Sequence, residues 1–462
     1  MRNENRGASK EHFSLLASHF SLLSFSRVRG SAAAREGLWV LAAQGIAALI
    51  ALGADVLLFR GLPNAERGVL TAALGLRNVL LYIADMGLAL TTVRVGAEYF
   101  GKGQYDEARA IFRRALAARL ALALLVLGLA CMLAPALCRF PLAAGNRPGL
   151  VTAAALALLG MTVTSWGVDA AQATRSFGKY FAHQVVEASL KTLAVAVALI
   201  ALGGSLTNIV VANTPAEMLL LAMAAAALAA GLASVLIQRG ALAKPKALSA
   251  GAEQAIHAQL RSFNRYAVAI ALLQTVGAYV EIFLVQWQCG SAETATFYGA
   301  QRLALALPLL AGVLTTVLLP RAAVLDTPAA CAAYVRKVFL AGVPLAVVAA
   351  ALLAAVAGLI VPLLWGGRYA ASVVPLRWLC PAYAFSIVLA PLNLVFFPLR
   401  RERTLLALQS ISVALALGLG VWLIPRFGAV GAAWSMLGVK VLMTLLSGAA
   451  LYLALRPSGA PR

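Results

Sequence analysis

Apolar residues in this chain come in long, nearly unbroken blocks. They show neither the alternation of a strand nor the single stripe of an amphipathic surface helix. Twelve blocks fall near 38–59, 68–93, 116–138, 150–172, 181–202, 215–237, 266–288, 296–319, 333–364, 370–398, 404–424 and 428–455. About 20 helical residues, rising 1.5 Å each, cross a hydrocarbon core of roughly 30 Å. Lipid gives the backbone no hydrogen-bonding partner, so each block is predicted to be a helix. The pattern therefore predicts an all-α polytopic membrane protein of about 12 transmembrane helices. Several blocks are longer than a perpendicular crossing needs, which implies tilt or kinks; Pro308, Pro344, Pro381 and Pro391 are the candidate kinks.

Basic residues outside the blocks set the orientation. With the N-terminus inside, the inner segments hold 27 Lys and Arg and the outer loops 6. By the positive-inside rule both termini are cytoplasmic and the number of spans is even. For a bacterial-type cell this implies a multi-pass protein of the inner membrane. The longest inner connector divides the chain near its middle. The expected organisation is a cytoplasmic tail (1–37), a six-helix lobe (38–240), a cytoplasmic linker (241–265), a second six-helix lobe (266–455) and a short tail (456–462). The first tail has apolar patches too short to span and no signal-peptide pattern, so the first block reads as an uncleaved insertion signal.

The two lobes echo each other. Asp55, Arg77 and Thr91 in the first are followed in the second by Glu281, Arg302 and Thr315 at nearly the same intervals. Because six helices is an even number, the echo implies lobes related by a pseudo-twofold axis along the membrane normal.

Composition supports the membrane reading and narrows the chemistry. The chain is 62% hydrophobic and 12% charged, with a net charge of +21; a soluble domain carries about 25% charged residues. The excess charge is explained by topology, and no basic, aromatic-interleaved stripe points to nucleic acid. Cys131, Cys138, Cys289, Cys331 and Cys380 are scattered, and His12, His19, His183 and His257 form no ligand spacing, so neither metal nor cofactor is expected. The motifs of metalloproteases, serine hydrolases and P-loop enzymes are absent, so no catalytic residue is assigned.

The informative charges are those inside blocks, because each costs about 2.5–3.5 kcal/mol at mid-helix and therefore faces a cavity or a partner. Arg77, Arg302, Lys191 and Lys440 are candidate cations of an anion-binding cavity, since a guanidinium fork suits phosphate. The alternative for the arginines is structural pairing, Arg77 with Asp55 or Asp85 and Arg302 with Glu281. Lys191 stands four residues after Glu187, at ion-pair spacing. Asp55, Asp85 and Glu281 are candidates for coupling to a proton or sodium ion.

Three sets of residues carry a family resemblance. They are Glu66-Arg67-Gly68 leading to Ile83-Ala84-Asp85-Met86-Gly87-Leu88; Ala278-Tyr279-Val280-Glu281-Ile282-Phe283-Leu284 followed by Phe297-Tyr298-Gly299-Ala300-Gln301-Arg302; and Gly367-Arg368-Tyr369 with Ile424-Pro425-Arg426-Phe427-Gly428. In order and spacing they resemble polysaccharide and O-antigen flippases of the multidrug/oligosaccharidyl-lipid/polysaccharide exporter superfamily. The resemblance covers roughly 38–455. It implies alternating access, with a polyprenyl-pyrophosphate-linked oligosaccharide as substrate, membrane lipids as surroundings and cavity cations that attract the pyrophosphate. Glu281 stands where many relatives carry aspartate. A drug or metabolite exporter of the same superfamily is the alternative. A membrane-embedded polysaccharide polymerase or ligase is a further one, disfavoured by the lack of a long external loop.

Overall fold

The computed structural model describes residues 32–145, 147–203, 214–243, 265–308, 328–394, 396 and 401–455. The N-terminal tail up to residue 31, most of the central linker, the second half of the eighth block and the C-terminal tail lie outside them. Among the described residues the structure is all-helical.

The first lobe consists of α1 (Ala32–Gly61), α2 (Asn64–Asp85), α3 (Leu88–Gly101), α4 (Tyr105–Met132), α5 (Pro148–Ala173), α6 (Phe177–Gly203) and α7 (Pro215–Ile237). The second consists of α8 (Arg265–Gln288), α9 (Ser291–Ala304), α10 (Pro328–Trp365), α11 (Val373–Leu394) and α12 (Glu402–Leu455), with a short 3-10 turn at Gly367–Ser372. Helix starts follow local chemistry. Proline, whose missing N–H costs nothing in the first turn, opens α5 and α7. Glu217 Oε2 accepts the backbone N–H of Thr214 at 3.0 Å and closes the start of α7.

Ten described segments are long and apolar enough to span a membrane. One of these, Arg403–Leu453, holds two of the predicted blocks, because α12 breaks at Gly428, φ 54° and ψ −132°. Only glycine adopts that conformation freely, and Pro425 just before it lacks a donor. Glu293 Oε2 accepts the Ala429 N–H at 2.9 Å, so the restarted helix has a cap supplied by α9. The candidate kinks behave differently. Pro344 lies inside α10 and Pro381 and Pro391 inside α11, and each helix continues through them. Helix α1 already includes Ala32, six residues before the predicted block.

Each lobe has its own apolar core. One gathers Leu70, Ala73, Leu150 and Leu219 from α2, α5 and α7; the other gathers Val285, Phe297, Trp365 and Ala432 from α8, α9, α10 and α12. In lipid, close helix contact depends on small residues rather than on expulsion of water. Gly160 of α5 lies so near the Ala227 carbonyl of α7 that any Cβ would collide with it.

Helices α2, α4 and α5 are tied by a buried network that is centred on Arg119, a residue the charge count places with an inner loop, and that includes the coupling candidate Asp85. Arg119, fully buried on α4, reaches Asp85 at 3.1 Å and Asp169 at 2.7 Å. Asp85 also accepts the Ala89 N–H at 3.2 Å, which holds the turn between α2 and α3 where Met86 and Gly87 both take positive φ. Removing one partner of a buried ion pair leaves an uncompensated charge. Arg119→Ala should therefore cost about 3–5 kcal/mol, seen as a lowered thermal midpoint in detergent. Lys102→Ala, at the exposed pair with Glu98, should leave that midpoint unchanged.

Candidate functional site

The lobes meet mainly through α2, which lies antiparallel to α8 and against α9. Gly68 faces the Ser291 carbonyl with no room for a Cβ, Gly75 packs on Tyr279 and Phe283, and Gly87 abuts Val268. Two bundle ends can then be defined. The proximal end carries Ala32 and Leu455; the distal end carries the α1–α2 turn, the α8–α9 turn, the 3-10 turn and the break in α12.

At the distal end the lobes are locked together. Phe59 of α1 sits in the second lobe's core, 4.3 Å from the Trp365 ring and 4.9 Å from that of Tyr369. Arg368 donates to the Phe59 carbonyl at 2.8 Å, and Arg60 donates to the carbonyls of Leu363 and Leu364 at 2.5 and 3.2 Å. Gln286 of α8 donates to the Leu142 carbonyl at 2.8 Å.

Just inside this seal lies an ionic cluster that crosses the interface. Asp55 pairs through Oδ1 with Arg67 at 3.2 Å and through Oδ2 with Arg302 of the other lobe. Arg67 is fully buried, its guanidinium 4.3 Å from the Phe59 ring centre and 5.0 Å from that of Tyr298. Sequence reasoning counted Arg67 with the outer loop. The available signal was the tight turn after Gly61, which sets Asp55 and Arg67 at similar depth on adjoining helices. Arg302 pairs with Asp55 rather than with Glu281 on its own lobe.

Proximal to the cluster, a cavity of about 800 Å³ separates the lobes. All four predicted cations line it: Arg77 on α2, Lys191 on α6, Arg302 on α9 and Lys440 on α12. Of the three candidate carboxylates, Glu281 lines the cavity, Asp55 lies in the cluster at its edge, and Asp85 is held away with Arg119. Lys191 is within electrostatic reach of Asp55, Glu187, Arg77 and Arg302. No ion pair within 4 Å engages Lys191 or Arg77 among the described residues, so the expected close Glu187–Lys191 pair is not formed. Instead Arg77 donates to the Asn78 side chain at 3.2 Å, and Asn78 donates to the Tyr279 hydroxyl of the other lobe at 2.5 Å.

The positions of the lining residues give the cavity a direction. On the distal side lining stops at Thr71, Glu281, Tyr298, Tyr383, Ala416 and Met436. These lie about seven to twelve residues from their distal helix ends, or roughly 10–18 Å of helix. On the proximal side it reaches Asn393 and Leu405, in the last turn of α11 and the first turn of α12. Among the described residues no group of three or more His, Cys, Asp or Glu is arranged to hold a metal ion.

No family model matches the chain, and no curated protein matches it at the level of sequence. Solved structures do. The lipid II flippase MurJ in an inward closed conformation superposes with a TM-score of 0.66 at 11% identity, covering 90% of this chain and 87% of that one. An inward-facing multidrug resistance MATE family transporter of the MOP superfamily gives 0.64 at 13% identity, covering 90% and 96%. A MOP superfamily transporter from Pyrococcus furiosus, whose description cites reverse polarity of its binding pocket, gives 0.61 at 12% identity, covering 93% and 98%. The chain is thus a multi-pass, all-α membrane protein with the fold of these transporters.

The one-sided cavity makes a prediction. In a variant lacking the five native cysteines, Gln409→Cys should react with a membrane-impermeant maleimide added at the proximal face and not at the distal face. Adding Gly68→Leu, which wedges α2 from Ser291, should admit the reagent from the distal face as well.

Proposed function

We infer that this chain is a transporter that flips a polyprenyl-pyrophosphate-linked oligosaccharide across the inner membrane by alternating access, for surface polysaccharide synthesis. The observation that carries the reading is the convergence of Arg77, Lys191 and Arg302 on one interlobe cavity. With Arg67, this region holds four positive side chains against the two carboxylates Asp55 and Glu187. Uncompensated positive charge inside a membrane is costly, and a phosphate-bearing cargo offsets that cost while it is bound. Arg302 already donates a hydrogen bond to a carboxylate, so a phosphate that displaces Asp55 finds a guanidinium set to receive it.

The remaining assignments follow from this role. Arg77, Arg302, Lys191 and Lys440 are substrate-binding residues, and Asp55, Asp85 and Glu281 are candidates for a coupling proton or sodium ion. The two lobes (38–240 and 266–455) rock against each other about the α2 seam, with the linker and both termini cytoplasmic. The distal lock then faces the outside, and the proximal cavity faces the compartment in which lipid-linked sugars are assembled. The likeness to MATE transporters favours one second reading, a drug or metabolite exporter. The positive excess of the cavity suits anionic rather than cationic cargo.

The test uses cells that depend on the chain for a surface glycan. Arg77→Ala and Arg302→Ala should each abolish export with protein levels intact. A deletion strain should accumulate a lipid-linked oligosaccharide on its inner leaflet, identifiable by mass spectrometry. Normal export by both variants, or no such intermediate, refutes the reading.

A further inference from the structure

Charge is unevenly spread over the cavity wall. Arg77, Lys191 and Arg302 interact electrostatically with one another and with Asp55 and Glu187. Glu281 and Lys440 are each other's charged partner, on α8 and α12. One zone of the cavity is therefore strongly cationic. The other, built wholly from the second lobe, carries one charge of each sign.

That second zone is rich in uncharged polar side chains set on single helix faces. Ser386 and Asn393 lie seven residues apart on α11, and Gln409 and Ser412 three apart on α12, repeats that keep each pair on one side of its helix. Tyr383, one turn distal to Ser386 on α11, also lines the cavity, its hydroxyl bonded to Gln301. From Tyr383 to Asn393 the wall runs about 15 Å along α11, the reach of a short oligosaccharide.

Several of these groups have unmet hydrogen-bonding capacity. Asn393, Ser447 and Glu281 line the cavity, and each has a side-chain oxygen (Oδ1, Oγ and Oε2) turned into the wall with no hydrogen-bond partner among the described residues. The groups placed to meet an occupant are the amides and hydroxyls on the cavity side of α11 and α12, Ser386, Asn393, Gln409 and Ser412. Within a membrane, where water and lipid are the alternatives, amides and hydroxyls of this kind match the dense donors and acceptors of a sugar ring. Tyrosine supplies a flat apolar face with a polar edge for the ring's C–H side.

We propose that the wall formed by α8, α11 and α12 is a saccharide subsite for uncharged sugar rings, separate from the cationic zone that holds phosphate. This rests on the reading of the cargo as a lipid-linked saccharide and specifies which part of the cavity recognises which part of the cargo. Asn393, Gln409 and Ser412 are its hydrogen-bonding residues and Tyr383 its stacking residue. Sugar selectivity then resides in the second lobe and phosphate affinity at the interface.

The experiment measures binding to the full chain in lipid nanodiscs with three probes: a short-chain prenyl diphosphate, the same lipid diphosphate bearing a neutral disaccharide, and one bearing an acidic disaccharide. The neutral disaccharide should tighten binding about tenfold over the sugar-free probe. Asn393→Ala combined with Gln409→Ala should erase that gain and leave the sugar-free probe bound as before, whereas Arg302→Ala should weaken all three. Equal binding of sugar-free and neutral-sugar probes, or a gain that survives the double variant, overturns the subsite while the phosphate reading stands. Tighter binding of the acidic than of the neutral disaccharide overturns the assignment to uncharged rings. Failure of every probe to bind the unaltered chain removes the phosphate reading and the subsite with it.

Discussion

A charge in hydrocarbon must have a partner, and in this structure one carboxylate serves two arginines from different halves of the molecule. Asp55 holds Arg67 on its own lobe and Arg302 on the other. Its surroundings make this possible: Phe59 and Tyr298 cover the Arg67 guanidinium and exclude lipid. The interface thus depends on an acid that cannot fully neutralise its neighbours. The cavity inherits the remaining positive charge, which arises from how the halves are joined as much as from the residues lining the chamber.

The two lobes contribute differently. The first supplies Arg77 and Lys191, from α2 and α6, to an ionic side of the cavity that Arg302 of the second completes, and it spends two of its carboxylates, Asp85 and Asp169, on fixing α4 through Arg119. The second supplies most of the uncharged polar wall and has a fracture in its last helix at Gly428. The sequence echo of acid, arginine and threonine therefore does not extend to shared chemistry. In one lobe the acid, Asp55, bridges the seam. In the other its counterpart, Glu281, faces Lys440 within its own half.

Much of the architecture was legible in the chain, because lipid enforces a simple rule. Apolar blocks of spanning length had to be helices, and even the break between 424 and 428 falls where Pro425 and Gly428 stand. The four cavity cations were legible for the same reason, since a charge within such a block demands an explanation. Arg67 and Arg119 were not. Both stand at the edges of predicted blocks, those beginning near 68 and 116, where a basic residue counts as loop, and composition cannot distinguish a solvated arginine from one folded back onto a buried acid. The partner of Arg302 was equally hidden. Spacing along the chain favoured Glu281, whereas the choice of Asp55 depends on how two distant hairpins dock. The unsatisfied amides and hydroxyls of the second lobe gave no signal either, because Asn, Gln and Ser in an apolar block are common and only a shared empty space gives them meaning.

At Gly68 the two lobes touch main chain to main chain, against the carbonyl of Ser291. A joint with no flexible side chain between its surfaces has no slack: it cannot lengthen by rotamer change or slide by degrees. The distal seal behaves like a latch with two positions, and whatever releases Arg302 from Asp55 acts on a contact that is either seated or broken.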